Sequence, residues 1–145
     1  MRVLAVDTTT PDGSVAVVDG SRVLAELAVR SASTHSSRLL SSIHFLLEAL
    51  SLDVRGLDGF AVAPGPGSFT GIRIGLSTVK ALVFASGKPV AAVSSLAALA
   101  FRLSDGGERW VAPVLDAKKG EVYASLADAK AGLEPAVPEG AYPPA

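Results

Sequence analysis

The sequence predicts an α/β fold built on a mixed sheet, and three observations carry that prediction. Three β-patterned runs joined by tight turns open the chain. Helical and strand patterns then alternate from residue 35 to residue 103. Finally, the opening plan of apolar strand, aspartate, turn and second strand returns at residues 110–128. Hairpins followed by a helix–strand alternation require a sheet with both antiparallel and parallel pairs.

Each element has its own signal. RVLAVD (2–7) is a short run with β-branched residues, followed by the turn signal TPDG at 10–13. SVAVV (14–18) is the second strand, Asp19-Gly20 its hairpin turn, and RVLAELAV (22–29) the third strand. Residues 35–51 read as a helix with Ser33 or Thr34 as N-cap. Leu39, Leu40, Ile43, Leu46, Leu47 and Leu50 fall within an arc of roughly 120°, the expected core face. GFAVA (59–63) is a buried strand, 68–86 a second helix, PVAAV (89–93) another strand, and Ser95 to Leu103 a third helix ended by SDGG. This order suits a lobe of the ribonuclease H-like and actin-like type.

The chain then starts again. WVAPVLDAKKGEVYASLAD (110–128) repeats the opening plan, with Asp116 matching Asp7, and Gly120 with Val122 matching Gly13 with Val15. After Asp128 only AKAGLEPAVPEGAYPPA follows, with four prolines and no helical period, so a third strand at most, plus a tail, is expected. The expected domains are an N-terminal lobe over 1–105 and, over 106–145, the start of an incomplete second lobe of the same type.

Composition narrows the function classes. A chain of 145 residues with 49% hydrophobic and 19% charged residues is globular and long enough for one real core. A net charge of −1 gives no broad footprint for nucleic acid, so any RNA contact needs positive surface from a partner. Without cysteine, disulfides and thiolate metal sites are excluded. The five-residue apolar run before Asp7 is too short for a signal peptide. Pro64, Pro66, Arg73, Lys80 and Pro89 interrupt the most apolar stretch, so no membrane span is expected and the chain reads as soluble and cytoplasmic.

APGPGSFTGIRIG (63–75) stands where a phosphate-binding loop would, between strand and helix. It matches neither GxxxxGK[ST] nor GxGxxG, because Gly71 comes one place late after Gly65 and Gly67. An anion at the helix N-terminus, Ser68–Thr70, is an alternative. Gly67, Gly71 and Gly75 recur every fourth residue, a stripe that Thr78 and Leu82 continue. Each interior helical glycine costs about 1 kcal/mol against alanine. A close approach by another helix or backbone would offset that cost, and the approach is made either within this chain or by a partner. Opposite the leucine arc of the first helix lie Arg38, Ser42, Phe45, Ala49 and Leu52. Together with the stripe they form a candidate helix–helix docking surface.

The chemistry-bearing residues form no complete catalytic set. Asp7 and Asp116 each end the first strand of their unit, and either cap turns or face each other across a cleft as a magnesium or phosphate site. His35 and His44 are too far apart in sequence for a one-turn metal pair, and no GxSxG elbow occurs.

LAVDTTTPDGSVAV, THSSRLLSSI, APGPGSFTGIRIGLSTVKAL and VLDAKKGEVYASL, in this order, resemble the TsaB (YeaZ) family, over residues 2 to about 128. The resemblance implies a duplicated actin/Hsp70-like fold. It also implies a non-catalytic partner subunit in the synthesis of threonylcarbamoyladenosine in tRNA. That subunit would bind and activate its paralogue TsaD as a heterodimer through the first two helices, with the TsaE ATPase docking on the pair. ATP and metal are then expected on the partner subunits and no cofactor on this chain, tRNA is met only through the complex, and a homodimer is expected in isolation. The implied surface is Arg38, Ser42, Phe45 and Ala49 on one helix with Gly71, Gly75, Thr78 and Leu82 on the other. Members of the family usually continue beyond this length. The older glycoprotease-type label belongs to the paralogue. An actin-like ATPase or phosphotransferase using Asp7 and Asp116 is the alternative from another class, and a ribonuclease H-like nuclease would need more converging acids.

Overall fold

Alternating burial along the first strands shows how the sheet is seated. In the computed structural model, which describes residues 1–30 and 36–143 (side chains of 36 and 37 excepted), β1 spans Arg2–Asp7, β2 Asp12–Asp19 and β3 Arg22–Arg30. The expected N-cap at Ser33 or Thr34, and His35, lie outside the described residues. α1 (Ser36–Ala49), β4 (Gly59–Val62), α2 (Phe69–Ser86), β5 (Val90–Ala92) and α3 (Ser95–Leu103) follow. The chain ends with β6 (Trp110–Val111), β7 (Val114–Lys118), β8 (Glu121–Asp128) and β9 (Glu134–Tyr142). It divides into two compact units, Met1–Pro64 with Ser68–Val93, and Gly65–Gly67 with Ser94–Ala145.

The first unit is a five-stranded mixed sheet in the order β3-β2-β1-β4-β5. β1–β2 and β2–β3 are antiparallel, while β1–β4 and β4–β5 are parallel. Register places Leu4 beside Val17 and Phe60, and Val6 beside Val15 and Val62, so one face carries all six. α1 and α2 cover that face with Leu39, Ile43, Leu46, Leu47 and Val79, forming one core. Each such aliphatic side chain contributes about 1.5–3 kcal/mol when taken from water. Leu40, expected in this arc, is instead 57% exposed, because it lies at the arc's outer edge, a full 100° from Leu39. Leu52, expected on the opposite face, packs against the core.

The two sheet margins differ. β3 carries exposed Arg22, Glu26 and Arg30, whereas Val90, Ala91 and Ala92 of β5 are exposed and uncharged.

α2 fixes the geometry of the unit. Ser68 caps it, its Oγ accepting from the Gly71 N–H at 3.3 Å, and Gly87 ends it in the left-handed conformation, its N–H donating to the Val83 carbonyl. By length and composition alone α2 would suffice to cross a membrane. Its seating is that of a sheet-packed helix, however, with Gly71, Gly75 and Val79 buried. A Cβ at Gly71 would overlap the Thr8 carbonyl oxygen, and one at Gly75 would overlap Thr8 Oγ1. Thr8 Oγ1 donates to the Gly71 carbonyl at 2.7 Å, and the Ser68 N–H donates to the Thr9 carbonyl at 2.6 Å. Gly71 and Gly75 therefore admit the chain's own Thr8, just after β1, by its carbonyl and its hydroxyl respectively. This corrects the expectation that Gly71 and Gly75 face a partner. Gly67 precedes the Ser68 cap, so it lies off the helical stripe, with a φ of 155° that side-chain-bearing residues rarely adopt.

In the second unit β6 and β7 lie along one side of β8, and β9 along the other, all antiparallel. This meander has the plan of β1–β2–β3, as the sequence repeat predicts, and β9 is the one further strand expected. α3 packs here through Ala100, against Val111 and Ala127. That packing moves the boundary to Val93/Ser94, ahead of the expected 105/106.

Replacing Gly71 by alanine adds overpacking of about 1–3 kcal/mol against a backbone atom that cannot turn aside. Urea unfolding of Gly71→Ala is expected to show a net loss of about 1 kcal/mol, the overpacking less the roughly 1 kcal/mol that alanine gains in a helix. Gly106→Ala, where a Cβ meets open space, is expected to stay within about 0.5 kcal/mol of the parent.

Candidate functional site

The outward sides of α1 and α2 hold the exposed aromatic side chains of the first unit, among the described residues. The helices lie side by side on one sheet face, in contact with each other. On α1, Arg38 and Ala49 are exposed and Phe45 is 61% exposed. Ser42 is half-buried, and with Arg38, Ser14 and Thr8 it lines a small cavity of about 20 Å³, room for a single water. His44 and Glu48 stand one turn apart at 3.9 Å, both exposed.

On α2 the predicted stripe and the observed surface part company. Gly71 and Gly75 are buried, Thr78 is half-buried, and Leu82 packs against the core. The outward side is instead Phe69 (73% exposed), Arg73, Ser77, Lys80 and Phe84 (93% exposed). The Arg73 guanidinium lies over the Phe69 ring, 5.5 Å from its centroid. Beside them Ile74, Ser77 and Thr78 line a groove of about 350 Å³. Periodicity did contain this surface. Phe69 and Phe84 project from the same side as Arg73, Ser77 and Lys80, and two aromatics in a polar wedge are the signal.

The two candidate acids are both engaged in turns. Asp7 Oδ1 accepts from the Thr9 N–H at 2.8 Å and from Thr9 Oγ1 at 2.7 Å. Asp116 accepts from the Lys118 N–H at 2.7 Å and from its Nζ at 2.9 Å. Both are Asx turns closing onto the residue two places on, so the repeat extends to a hydrogen bond. The Lys118 ammonium and N–H hold the Asp116 carboxyl below the usual carboxylate range. Register differs slightly, since Asp7 stands opposite Ser14 and Asp116 opposite Val122, where Gly13 and Gly120 had been matched. Among the described residues no three His, Asp or Glu side chains gather as a metal site would require. At the start of α2, the alternative anion position, the Ser68 hydroxyl accepts from the Gly71 N–H.

Comparison with known proteins follows from this fold. The family model for "TsaD: tRNA N6-adenosine threonylcarbamoyltransferase" matches residues 26–142. The tRNA threonylcarbamoyladenosine biosynthesis protein TsaB of Bacillus subtilis is 37% identical over 142 residues, 96% of this chain and 61% of its own length. The chain belongs to the TsaB/YeaZ family. TsaB of Escherichia coli is 35% identical over 126 residues, 85% of this chain and 53% of that protein. A solved structure of YeaZ from Pseudomonas aeruginosa superposes with a TM-score of 0.90 at 36% identity, covering 99% of this chain and 68% of that one. The chain thus spans between half and three-fifths of the length of these two curated TsaB relatives. The match to YeaZ agrees with the expected actin-like fold class.

One ion pair, between a buried Asp128 and an exposed Arg109, gives this TsaB/YeaZ chain a measurable acid dependence. Asp128, 8% exposed, accepts from Arg109 Nε at 2.9 Å and from the Lys130 N–H, with Arg109 Nη2 also 2.9 Å from its carboxylate as an ion pair. The Arg109 hydrogen bond is the main cause that holds its carboxyl below the usual range. A depressed folded-state pKa stabilises the fold above the unfolded value of about 3.9, and that contribution is lost as pH falls through the folded value. Arg109→Gln is therefore expected to lower stability at pH 7 and to flatten its fall below pH about 4, read by urea unfolding across that range.

Proposed function

We propose that this chain is the TsaB-type subunit of the apparatus that makes threonylcarbamoyladenosine in tRNA. It acts as a non-catalytic partner that binds and activates a TsaD-type transferase. The observation that carries the reading is the uncovered apolar surface of two adjacent helices, with Phe45 on α1 and Phe69 and Phe84 on α2. Aromatic side chains exposed together on neighbouring helices suit docking of a helix pair from another subunit, where such residues supply most of the binding energy. The curated names of the TsaB relatives support the pathway. The engagement of Asp7 and Asp116 in their turns supports an accessory role over a phosphotransferase.

In this reading Arg38, Phe45 and Ala49 of the predicted surface meet the partner, Ser42 and Thr78 lie at its floor, and Phe69, Arg73 and Phe84 join it. Gly71, Gly75 and Leu82 act indirectly, by seating α2. A TsaE-type ATPase docks on the assembled pair, tRNA is reached through the complex, and without a partner the same helices pair two copies of this chain.

Light scattering after gel filtration, for this chain alone and mixed with the TsaD-type protein of its own organism, tests the reading. A one-to-one mixed species is expected, and Phe45→Asp is expected to abolish it while leaving the fold unchanged by circular dichroism. Failure of the parent chain to associate with a folded TsaD-type protein would overturn the docking role.

A further inference from the structure

The two outward helix sides are unequal in charge as well as apolar. α2 carries Arg73 and Lys80 and has no acidic residue along its 18 positions. α1 adds Arg38 near its start, and its single acid, Glu48, sits at its far end beside His44. Among the described residues no carboxylate forms an ion pair with Arg38, Arg73 or Lys80. The chain nevertheless pairs other surface cations, Arg30 with Asp12 and Arg109 with Asp128. Arg73 is also pre-positioned, its planar guanidinium held over the Phe69 ring at the mouth of the groove, with its donors free for a bidentate acceptor.

From this we infer that the surface is built for a partner helix face bearing carboxylates, with Arg73 as the charge-reading residue. The inference rests on the docking role proposed above and specifies the chemistry of the partner. A second copy, which these helices pair with only when no partner is present, meets this requirement less well. A twofold contact sets a patch against itself, so the excess of cations would meet the same excess across the axis. An acidic helix pair instead satisfies Arg73 and Arg38 while its apolar residues cover Phe45 and Phe69. Charge thereby discriminates between partners that apolar area alone would accept equally.

The test is the dissociation constant with the TsaD-type protein of the same organism, by isothermal calorimetry at about 50 and about 500 mM salt. The parent chain, Arg73→Glu and Phe45→Asp are compared. The expected result is weaker binding of the parent chain at high salt and a loss of about tenfold or more for Arg73→Glu at low salt, shrinking as salt rises. Arg38→Glu is expected to act in the same direction. Affinity indifferent both to salt and to Arg73→Glu would overturn the acidic-partner inference, and the docking role would stand if Phe45→Asp still abolished binding. Binding unaffected by Phe45→Asp would overturn the docking face itself. Self-association of the parent chain that outcompetes the partner at equal concentration would also overturn the inference.

Discussion

The first unit hangs on the place where Thr8 enters the space left by two glycines, its carbonyl against Gly71 and its hydroxyl against Gly75. At that point the end of β1 and the start of α2 are closer than any side-chain-bearing helix would permit. The approach is held by two hydrogen bonds, one from Thr8 Oγ1 to the Gly71 carbonyl and one from the Ser68 N–H to the Thr9 carbonyl. Asp7 in turn shapes the loop that delivers Thr8, by accepting from Thr9. The position of α2 over β1 and β4 then follows, and with it the side of the helix that is left facing outward. A local cost in helix propensity is offset by a buried contact that sets the orientation of α2.

That contact explains how an apolar helix can close on a sheet and still keep one side uncovered. One side of α2 closes on the sheet through Gly71, Gly75 and Val79. Its outward side keeps Phe69 and Phe84 uncovered, interspersed with Arg73, Ser77 and Lys80. The same 18 residues thus supply both a core face and, under the docking role proposed above, an aromatic and cationic recognition face.

Much of this was legible in the sequence, and the exceptions share a cause. β1 and α3 fall on their expected residues because alternation, an N-cap serine and a Gly-rich stop are local signals. The repeat was legible in Asp7 and Asp116, down to a turn that closes on the residue two places on. The glycine stripe was legible as a close approach, but periodicity names the side of a helix and not what lies against it. A threonine in the β1–β2 turn, more than sixty residues earlier, is a tertiary fact. Leu40 failed for a similar reason, since the edge of an apolar arc is buried only if a neighbour reaches it. The unit boundary failed because α3 carries no mark of the sheet it packs on. Its tie to the later strands runs through Ala100 and Ala127, two of the least informative side chains in the alphabet.

The unequal margins of the five-stranded sheet bear on how this lobe behaves in crowded solution. Along β3, charges recur every fourth residue at Arg22, Glu26 and Arg30, and a foreign strand laid there would have to strip water from them. β5 offers no such deterrent: its three residues are small or β-branched, exposed and uncharged. Open strand margins of this kind are where sheets extend into one another. Colloidal behaviour of the isolated lobe is thus governed at one rim, and a lysine substituted for Val90 or Ala92 is the change that would make the two rims alike.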